Sequence, residues 1–353
     1  MNNLFDKIAH QYKSELPFVA YRKPNEIKLS SFLMPDNELN FVSNFKEKGF
    51  VFAPFNIEEK TILFSEEKAL FLTENVSIDS FKLKETVFNT DNSTKEKHIN
   101  IVEKAIEKIK SSSLQKVVIS REEFVNLSNV DLLEIYKKLL ATYNNAFVYV
   151  WFHPKVGLWL GATPETLLNV EGSAFKTMSL AGTQVYRKTE NVVWKSKELD
   201  EQKLVTNFIE DQLKVIATNL EVNKTETVKA GNLLHLRTKV SGVLQNSSNL
   251  EELIRALHPT PAVCGLPRDI SKEFILKNET YNRSFYTGFL GELNLQYLQK
   301  EERSTFLFVN LRCMKIENNK ATIFIGGGIT KDSIAVKEWE ETVSKSKTMK
   351  RVL

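Results

Sequence analysis

Apolar residues follow a strand-like pattern in the first part of the chain. Up to about residue 90, short apolar runs alternate with polar breaks, and the runs at 50–55, 61–64 and 69–72 predict strands. The last two runs are separated by only a few residues, which is typical of a hairpin. Nothing in this part has a pattern that predicts chemistry.

Helical spacing becomes frequent further along the chain. Ser93 and Glu96 are spaced as in a capping box, and the apolar positions after them predict a helix that ends near residues 111–113. The same spacing predicts three more helices, at 131–143, at 197–213 and from near Val336 onward.

Further apolar runs predict strands between these helices. They lie at 117–119, 146–152, 157–161, 306–312 and 321–325, and we expect the last two to pair with each other. Many strands mixed with several helices, without regular alternation, favour an α+β fold. Length alone leaves the number of domains open.

Composition and charge narrow the classes of function. The chain is 42% hydrophobic and 26% charged, which is typical of a folded soluble protein. Its net charge of +4 comes from basic and acidic residues mixed along the chain, so we expect no nucleic-acid partner. It has neither a long apolar run nor a signal peptide, so we expect no membrane association and a cytoplasmic location. Cys264 and Cys313 lack metal-ligand spacing and are expected to be buried thiols.

Two pairs of glutamates have a spacing that suits metal ligands. Glu338 and Glu341 share one face of the last predicted helix with Lys345, and Glu198 and Glu201 lie at the start of the helix at 197–213. Such spacing is commonest on solvated helix surfaces, and from the pattern alone that alternative stays open. The other interpretation is a Mg²⁺ site, because Mg²⁺ takes one or two protein carboxylates and completes its shell with water and ligand oxygens.

These glutamates belong to a series of motifs whose order resembles that of the chorismate-utilising enzymes. The resemblance covers roughly residues 92–353. The series consists of Lys116 to Arg121, Thr163-Pro164-Glu165, Leu180 to Thr183, Lys197-Glu198 with Glu201, His235 to Thr238, Leu257 to Ala262, Glu279 with Arg283 and Tyr286, Leu311-Arg312, Gly326 to Ile329, and Glu338 to Thr342 with Lys345.

The resemblance implies a single large α+β domain in which two β-sheets pack together, with helices outside and the active site in a cleft. Residues 1–91 would be the variable N-terminal part of this fold, and 92–353 the chorismate-binding catalytic region. Chorismate is then the expected substrate and partner, and Mg²⁺ the expected cofactor. No feature of the sequence demands association, so we expect a monomer.

The resemblance also implies roles for individual residues. Lys116 would act as general base and Glu165 as general acid. Glu201 and Glu341 would hold Mg²⁺, with Glu338 and Glu198 supporting it. The residues expected to contact the substrate are Gly182, Thr183, His235, Ala262, Tyr286, Arg312, Gly326, Gly328 and Lys345.

Three positions indicate which reaction of the family to expect. A lysine at the place of Lys116 resembles the members that add water at C2 of chorismate and lose the C4 hydroxyl, which gives isochorismate. Ala181 stands where aminodeoxychorismate-forming members often have a nucleophilic lysine. Ala262 resembles the members that release isochorismate, whereas salicylate-forming members, the alternative, tend to have threonine. The sequence leaves open whether the product feeds menaquinone, a siderophore or another aromatic metabolite.

This chemistry makes demands on the surroundings of the two reacting groups. Glu165 has to stay protonated at working pH, which requires desolvation that outweighs nearby positive charge. Lys116 has to accept a proton, which requires burial or nearby positive charge. Gln202 and Glu198 depart from the family pattern, where histidine and aspartate are common, and we expect changed surroundings of the metal there.

Overall fold

The computed structural model describes residues 3–77, 92–186, 192–230, 233–297 and 302–353, which form seven helices and eighteen strands. The helices are α1 (Leu4–Lys13), α2 (Lys95–Ser111), α3 (Leu132–Thr142), α4 (Ser196–Leu213), α5 (Leu250–Leu257), α6 (Arg268–Asn278) and α7 (Ala335–Lys350). The strands are β1 (Phe18–Arg22), β2 (Lys28–Leu33), β3 (Gly49–Ala53), β4 (Ile62–Ser65), β5 (Leu70–Asn75), β6 (Lys116–Asn126), β7 (Phe147–His153), β8 (Gly157–Thr163), β9 (Thr166–Glu171), β10 (Ala174–Val185), β11 (Ala217–Val222), β12 (Glu226–Ala230), β13 (Leu233–Leu244), β14 (Gly265–Leu266), β15 (Phe289–Leu295), β16 (Ser304–Val309), β17 (Cys313–Glu317) and β18 (Lys320–Ile329).

The strands form two large antiparallel sheets. The first sheet has the order β14-β6-β18-β17-β8-β7-β1-β2-β5. The second has the order β11-β13-β10-β9-β16-β15-β3-β4, and β12 also pairs with β13. Strands from the N-terminal part lie inside both sheets, since β1 pairs with β7 and β3 pairs with β15.

Strand β7 shows how the sequence produces two packed layers. All its residues are buried, because successive side chains point to opposite faces and both faces are covered. Val148 and Val150 pack under the outer helices, whereas Phe147 and Tyr149 pack between the sheets. Phe147 stacks on Phe308 of β16 with ring centroids 4.2 Å apart. An aromatic core therefore holds the two sheets face to face.

Helices cover the outer faces of both sheets. The apolar sides of α1 and α3 pack on the first sheet, and those of α4 and α5 pack on the second. The α+β fold with two packed sheets and outer helices in a single domain is thus confirmed. Within the described residues, no helix is both long enough and apolar enough to cross a membrane.

Two predicted strand pairings are wrong, although the strands exist. Strand β4 pairs with β3 in the second sheet and β5 pairs with β2 in the first, so the runs at 61–64 and 69–72 form no hairpin. Likewise, β16 and β18 lie in different sheets, and β18 pairs with β17 and β6. The strand β17, which was not predicted, provides the local partner of β18.

The helix predictions fare better. The helices predicted at 131–143 and 197–213 and from Val336 onward correspond to α3, α4 and α7. Helix α1 was missed among the predicted strands of the N-terminal part. Helix α2 ends at Ser111 as predicted, but the side chain of its N-cap residue Thr94 makes no capping bond. The predicted boundary between 1–91 and 92–353 adjoins residues 78–91, which lie outside the described residues.

Candidate active site

The ends of β10, β13 and β18, together with α4 and α7, surround a cleft that is lined by charged, polar and apolar residues. Most of the residues expected from the sequence line it: Glu165, Gly182, Thr183, Glu198, Glu201, His235, Ala262, Tyr286, Arg312, Gly326, Gly328, Glu341 and Lys345. The other two, Lys116 and Glu338, are buried and contact residues of the cleft wall. The structure therefore brings all the expected site residues to one place.

Glu165 is held in the cleft wall by its backbone. It follows the last residue of β8 by two positions, its N–H donates to Thr163 Oγ1 at 3.3 Å, and its carbonyl accepts from Val309 N at 3.0 Å. The residue is only 2% exposed, and its carboxyl has no hydrogen bond or ion pair among the described residues. Burial raises the pKa of Glu165 to about 8, although the charge of Lys116 opposes the shift. A carboxyl in this setting stays protonated at neutral pH, as the expected acid role requires.

Lys116 begins β6 and is completely buried, with 0% of its surface exposed. Its Nζ lies 2.9 Å from Glu201 Oε1 on the first turns of α4. Burial alone would raise the pKa of Glu201, but the charges of Lys116 and other lysines lower it. Glu201 is therefore a carboxylate at neutral pH, in contact with the buried side chain of Lys116.

Three charged residues of α7, Glu338, Glu341 and Lys345, face inward. Glu338 is 3% exposed, and its Oε1 lies 2.5 Å from Lys197 Nζ, while Lys345 Nζ lies 2.6 Å from Glu341 Oε1. Lys345 also donates to the Gly326 carbonyl at 3.0 Å. The alternative of a solvated surface stripe is therefore wrong for these residues. Burial raises the pKa of Glu338, and Lys197 opposes the shift.

Gly182 lies at a bulge in β10 that brings the backbone close to α4. Its φ is +64°, in the left-handed region that glycine adopts without strain, and a Cβ there would lie 3.2 Å from Glu198 Cβ. The Glu198 carboxylate itself accepts a hydrogen bond from Lys195 N at 3.0 Å. Thr183, on the other side of the bulge, lines the cleft.

Gln202 contacts the same bulge from the next turn of α4, on the side of the helix that also carries Glu198. Its Oε1 accepts from Ala181 N at 2.9 Å, and its Nε2 donates to Ser179 Oγ at 2.7 Å and to Thr238 Oγ1 at 3.0 Å. The side chain is buried and does not line the cleft. Its described contacts tie α4 to β10 and β13.

His235 and Arg312 are neighbours on the cleft wall. Burial, with the nearby charges of Arg312 and Lys345, lowers the pKa of His235 to about 3, so the ring is neutral. Its Nδ1 lies 3.0 Å from the Gly182 carbonyl, which assigns the proton to Nδ1 and directs Nε2 to Arg312 Nη2, 3.5 Å away. Arg312 has φ +47° at the turn between β16 and β17, and its Nη1 donates to Thr348 Oγ1 at 3.2 Å.

Tyr286 lines the cleft with its hydroxyl close to the backbone of Gly326. Its hydroxyl oxygen lies 2.8 Å from the point that a Cβ on Gly326 would occupy, so only glycine allows this approach. Behind Tyr286, the buried Arg283 pairs with Glu279 at 2.6 Å and donates to the Val118 carbonyl at 2.7 Å. This arrangement joins the segment before β15 to β6.

The acidic residues of the cleft fit a hard cation. Glu201 Oε1 lies 2.5 Å from the Cβ position of Gly328, and Glu338 Oε2 and Glu341 Oε1 lie 3.8 and 3.9 Å from that of Gly327. Side chains at these glycines would fill the space beside the carboxylates. In the part of the chain that the structure describes, no group of three or more acidic, histidine or cysteine side chains is arranged to hold a metal ion. Since Mg²⁺ needs only one or two carboxylates, the donor set still fits it.

Lys197 was not among the predicted site residues, although it is part of a recognised motif. It lines the cleft and contacts Glu338. Partial burial disfavours its charge, yet the carboxylates of Glu338, Glu341 and Glu201 raise the pKa of Lys197. Its position directly before Glu198, within the motif, could have identified it as a site residue. Thr348, which accepts a hydrogen bond from Arg312, belongs to none of the motifs and could not have been identified in this way.

Comparison with known proteins gives the family. Isochorismate synthase DhbC of Bacillus subtilis is 28% identical over 276 residues, which are 73% of this chain and 68% of that protein. Isochorismate synthase MenF of Pasteurella multocida is 29% identical over 262 residues, or 69% of this chain, and the aligned part is 58% of that protein, less than two thirds. The fold is similar to that of DhbC from Bacillus anthracis, with a TM-score of 0.80, 24% identity and 99% of both chains covered. Residues 49–353 match the family model of the chorismate binding enzymes, and the chain belongs to that family.

Proposed function

We propose that this protein is an isochorismate synthase, an isomerase that converts chorismate to isochorismate with Mg²⁺ as cofactor. One observation carries the proposal: at the cleft of a chorismate-binding fold lie a buried lysine, Lys116, and a buried carboxyl, Glu165, that has no ion pair with the residues the structure describes. The relatives named isochorismate synthases support the same reaction.

The cleft has the groups needed to orient a substrate with two carboxylates. The Arg312 guanidinium suits bidentate contact with a carboxylate, and Tyr286 adds a hydroxyl donor. Lys345 on α7 also lines the cleft and provides a second basic group there. The bulge at Gly182 and the glycines of β18 let the substrate approach the backbone closely.

The reaction exchanges one hydroxyl of the ring for another. A bond forms between the water oxygen and C2, both conjugated double bonds of the ring shift, and the bond between C4 and its hydroxyl breaks. Lys116 takes a proton from the attacking water, and Glu165 gives its proton to the departing hydroxyl, which leaves as water. Because only a neutral amine accepts a proton, Lys116 has to separate from Glu201 before this step.

Bound Mg²⁺ would supply a Lewis acid and a template for the ring carboxylate, held by Glu201 and Glu341 with support from Glu338 and Glu198. The neutral His235 positions Arg312 without adding charge to the cleft. Ala262, which lines the cleft, supports release of isochorismate over pyruvate elimination, because it resembles the members that stop at this product.

The test is to incubate the purified protein with chorismate and Mg²⁺, with and without a chelator, and to separate the products by chromatography. We expect isochorismate that disappears when the chelator is added. Salicylate together with pyruvate would instead make the protein a salicylate synthase. Unchanged chorismate would remove the proposed function and leave the fold and the family in place.

A further inference from the structure

Three carboxylates at the cleft are each in contact with a different lysine. The pairs are Lys116 with Glu201 at 2.9 Å, Lys197 with Glu338 at 2.5 Å, and Lys345 with Glu341 at 2.6 Å. These are the carboxylates proposed to bind Mg²⁺ or to support it. A lysine ammonium and a divalent cation both seek the same oxygens, so each pair is a site of competition.

The three lysines differ in how easily each can move away from its carboxylate. Lys116 is completely buried, and Lys345 is held by a second bond to the Gly326 carbonyl. Lys197 is 30% exposed, and Glu338 is the one residue in contact with its ammonium among those described. Of the three, Lys197 is therefore the one whose side chain can move away at the smallest cost.

The structure also contains a place for the displaced ammonium. Lys197 lines the cleft and, on its other side, a groove beside α2. Asp200 and Asp332 line that groove and supply carboxylates within it. A rotation of the Lys197 side chain would thus bring its ammonium towards these carboxylates, in a groove that Lys110 and Lys331 also line.

The position of Lys197 in α4 shows that its charge does not serve the helix. It is the second residue of α4, where the helix dipole disfavours a cation. Glu338, by contrast, is only 3% exposed, and its Oε1 lies 2.5 Å from the Lys197 ammonium. The contact therefore serves Glu338.

We propose that Lys197 is a tethered counter-ion of Glu338 that competes with the divalent cation, and that this competition sets the affinity of the site for Mg²⁺. Lys197 would occupy Glu338 when the cation leaves and turn into the groove when the cation binds. The inference rests on the proposed function, because it takes the carboxylates of the cleft as the metal site. No bond is made or broken in the exchange, which moves one ammonium and one hydrated ion.

The test is calorimetric titration of the full-length protein with Mg²⁺ alone. We expect Lys197→Gln to bind Mg²⁺ about fivefold more tightly than the unsubstituted protein, which corresponds to the loss of one modest ion pair. Lys197→Arg keeps the charge and should stay within about twofold. Lys195→Gln is the matched control, because it removes the same charge from an exposed position near the start of α4.

Unchanged or weaker Mg²⁺ binding in Lys197→Gln would overturn the proposal. Equal tightening in Lys195→Gln would also overturn it, since the effect would then come from net charge and not from the contact with Glu338. Product analysis of the unsubstituted protein separates these results from the proposed function. If that protein forms isochorismate while Lys197→Gln binds Mg²⁺ as before, only the counter-ion role fails. If it neither binds Mg²⁺ nor converts chorismate, the proposed function itself fails, and the inference with it.

Discussion

Two buried glutamates of this fold have almost the same exposure and opposite protonation. Glu123 on β6 is 1% exposed and contacts Arg121 at 2.8 Å and also Lys350. Burial alone would raise the pKa of Glu123, but these two cations lower it below its usual range. Glu165 is 2% exposed and has no such contact among the described residues, and burial raises its pKa to about 8.

The comparison teaches that burial does not by itself determine the charge of a carboxyl. The cations at Glu123 turn it into an anchor that joins β6 to the last turn of α7. Glu165 lacks that compensation, so the fold keeps a proton on it at the wall of the cleft. Removing Glu123 would leave buried cations without a partner, whereas the uncompensated burial of Glu165 costs stability and prepares a proton donor.

The largest effect is expected from Glu165→Gln on turnover. The amide keeps the shape of the carboxyl but gives no proton to the departing hydroxyl, so kcat/KM should fall about 10²–10⁴-fold. Isochorismate formation measured by chromatography tests this. In the unsubstituted protein, kcat/KM should also fall as the pH rises above about 8, where Glu165 loses its proton. Near-normal turnover of the variant would remove Glu165 as the acid.

The same substitution should change the pH dependence of stability. The pKa of Glu165 is about 8 in the folded protein against an ordinary value of 4.5, so the folded state binds the proton more tightly than the unfolded chain. The free energy of unfolding should therefore fall by up to about 1.4 kcal/mol per pH unit between pH 4.5 and 8. Urea unfolding at several pH values should show that Glu165→Gln lacks this decline. Parallel curves for the two proteins would contradict the raised pKa.

A smaller loss of stability, of about 3 kcal/mol, is expected for Glu123→Gln at neutral pH, because it leaves buried cations without their carboxylate. Since the pKa of Glu123 is lowered in the folded protein, its contribution should vanish only as the pH falls below about 4.5. Glu134→Gln is the control, because its contact with Lys138 is on the surface and should cost at most about 0.5 kcal/mol. Equal losses in both variants would contradict the buried pairing.

The smallest loss of stability is expected for Gln202→Leu, which replaces a buried, uncharged polar side chain by an apolar one. It should leave the Ala181 N–H without its acceptor and cost about 1–2 kcal/mol. If Gln202 positions the bulge at Gly182, KM for chorismate should rise more than kcat falls. Thr206→Val provides the control, because it removes a bond to Ser179 without touching the bulge. A similar change of KM in the control would show that Gln202 acts through stability alone.

The sequence predicted the positions of helices and strands better than it predicted which strands pair with each other. Apolar spacing identified α3, α4, α7 and the strand β7, because local periodicity records which faces are buried. It could not show that β4 and β5 enter different sheets, since that depends on contacts far apart along the chain. Helix α1 was not predicted, because it is only ten residues long and directly precedes the strands of the N-terminal part.

The candidate site was predicted through the order of its motifs. Isolated charge spacing on α7 favoured a solvated surface, and only the series of motifs indicated that Glu338 and Glu341 face a cleft. The pairing of Lys197 with Glu338 joins two helices that are distant in sequence, and no spacing rule reports such a contact. The same holds for Gln202, whose partners lie on β10 and β13.

The most direct test of the central claim is to run the reaction in water enriched in heavy oxygen and to analyse the product by mass spectrometry. If Lys116 directs water to C2 while Glu165 releases the C4 hydroxyl, isochorismate should carry one heavy oxygen, located on C2. Isochorismate without the label would show that the original hydroxyl is transferred within the substrate, which would contradict the roles proposed for both residues.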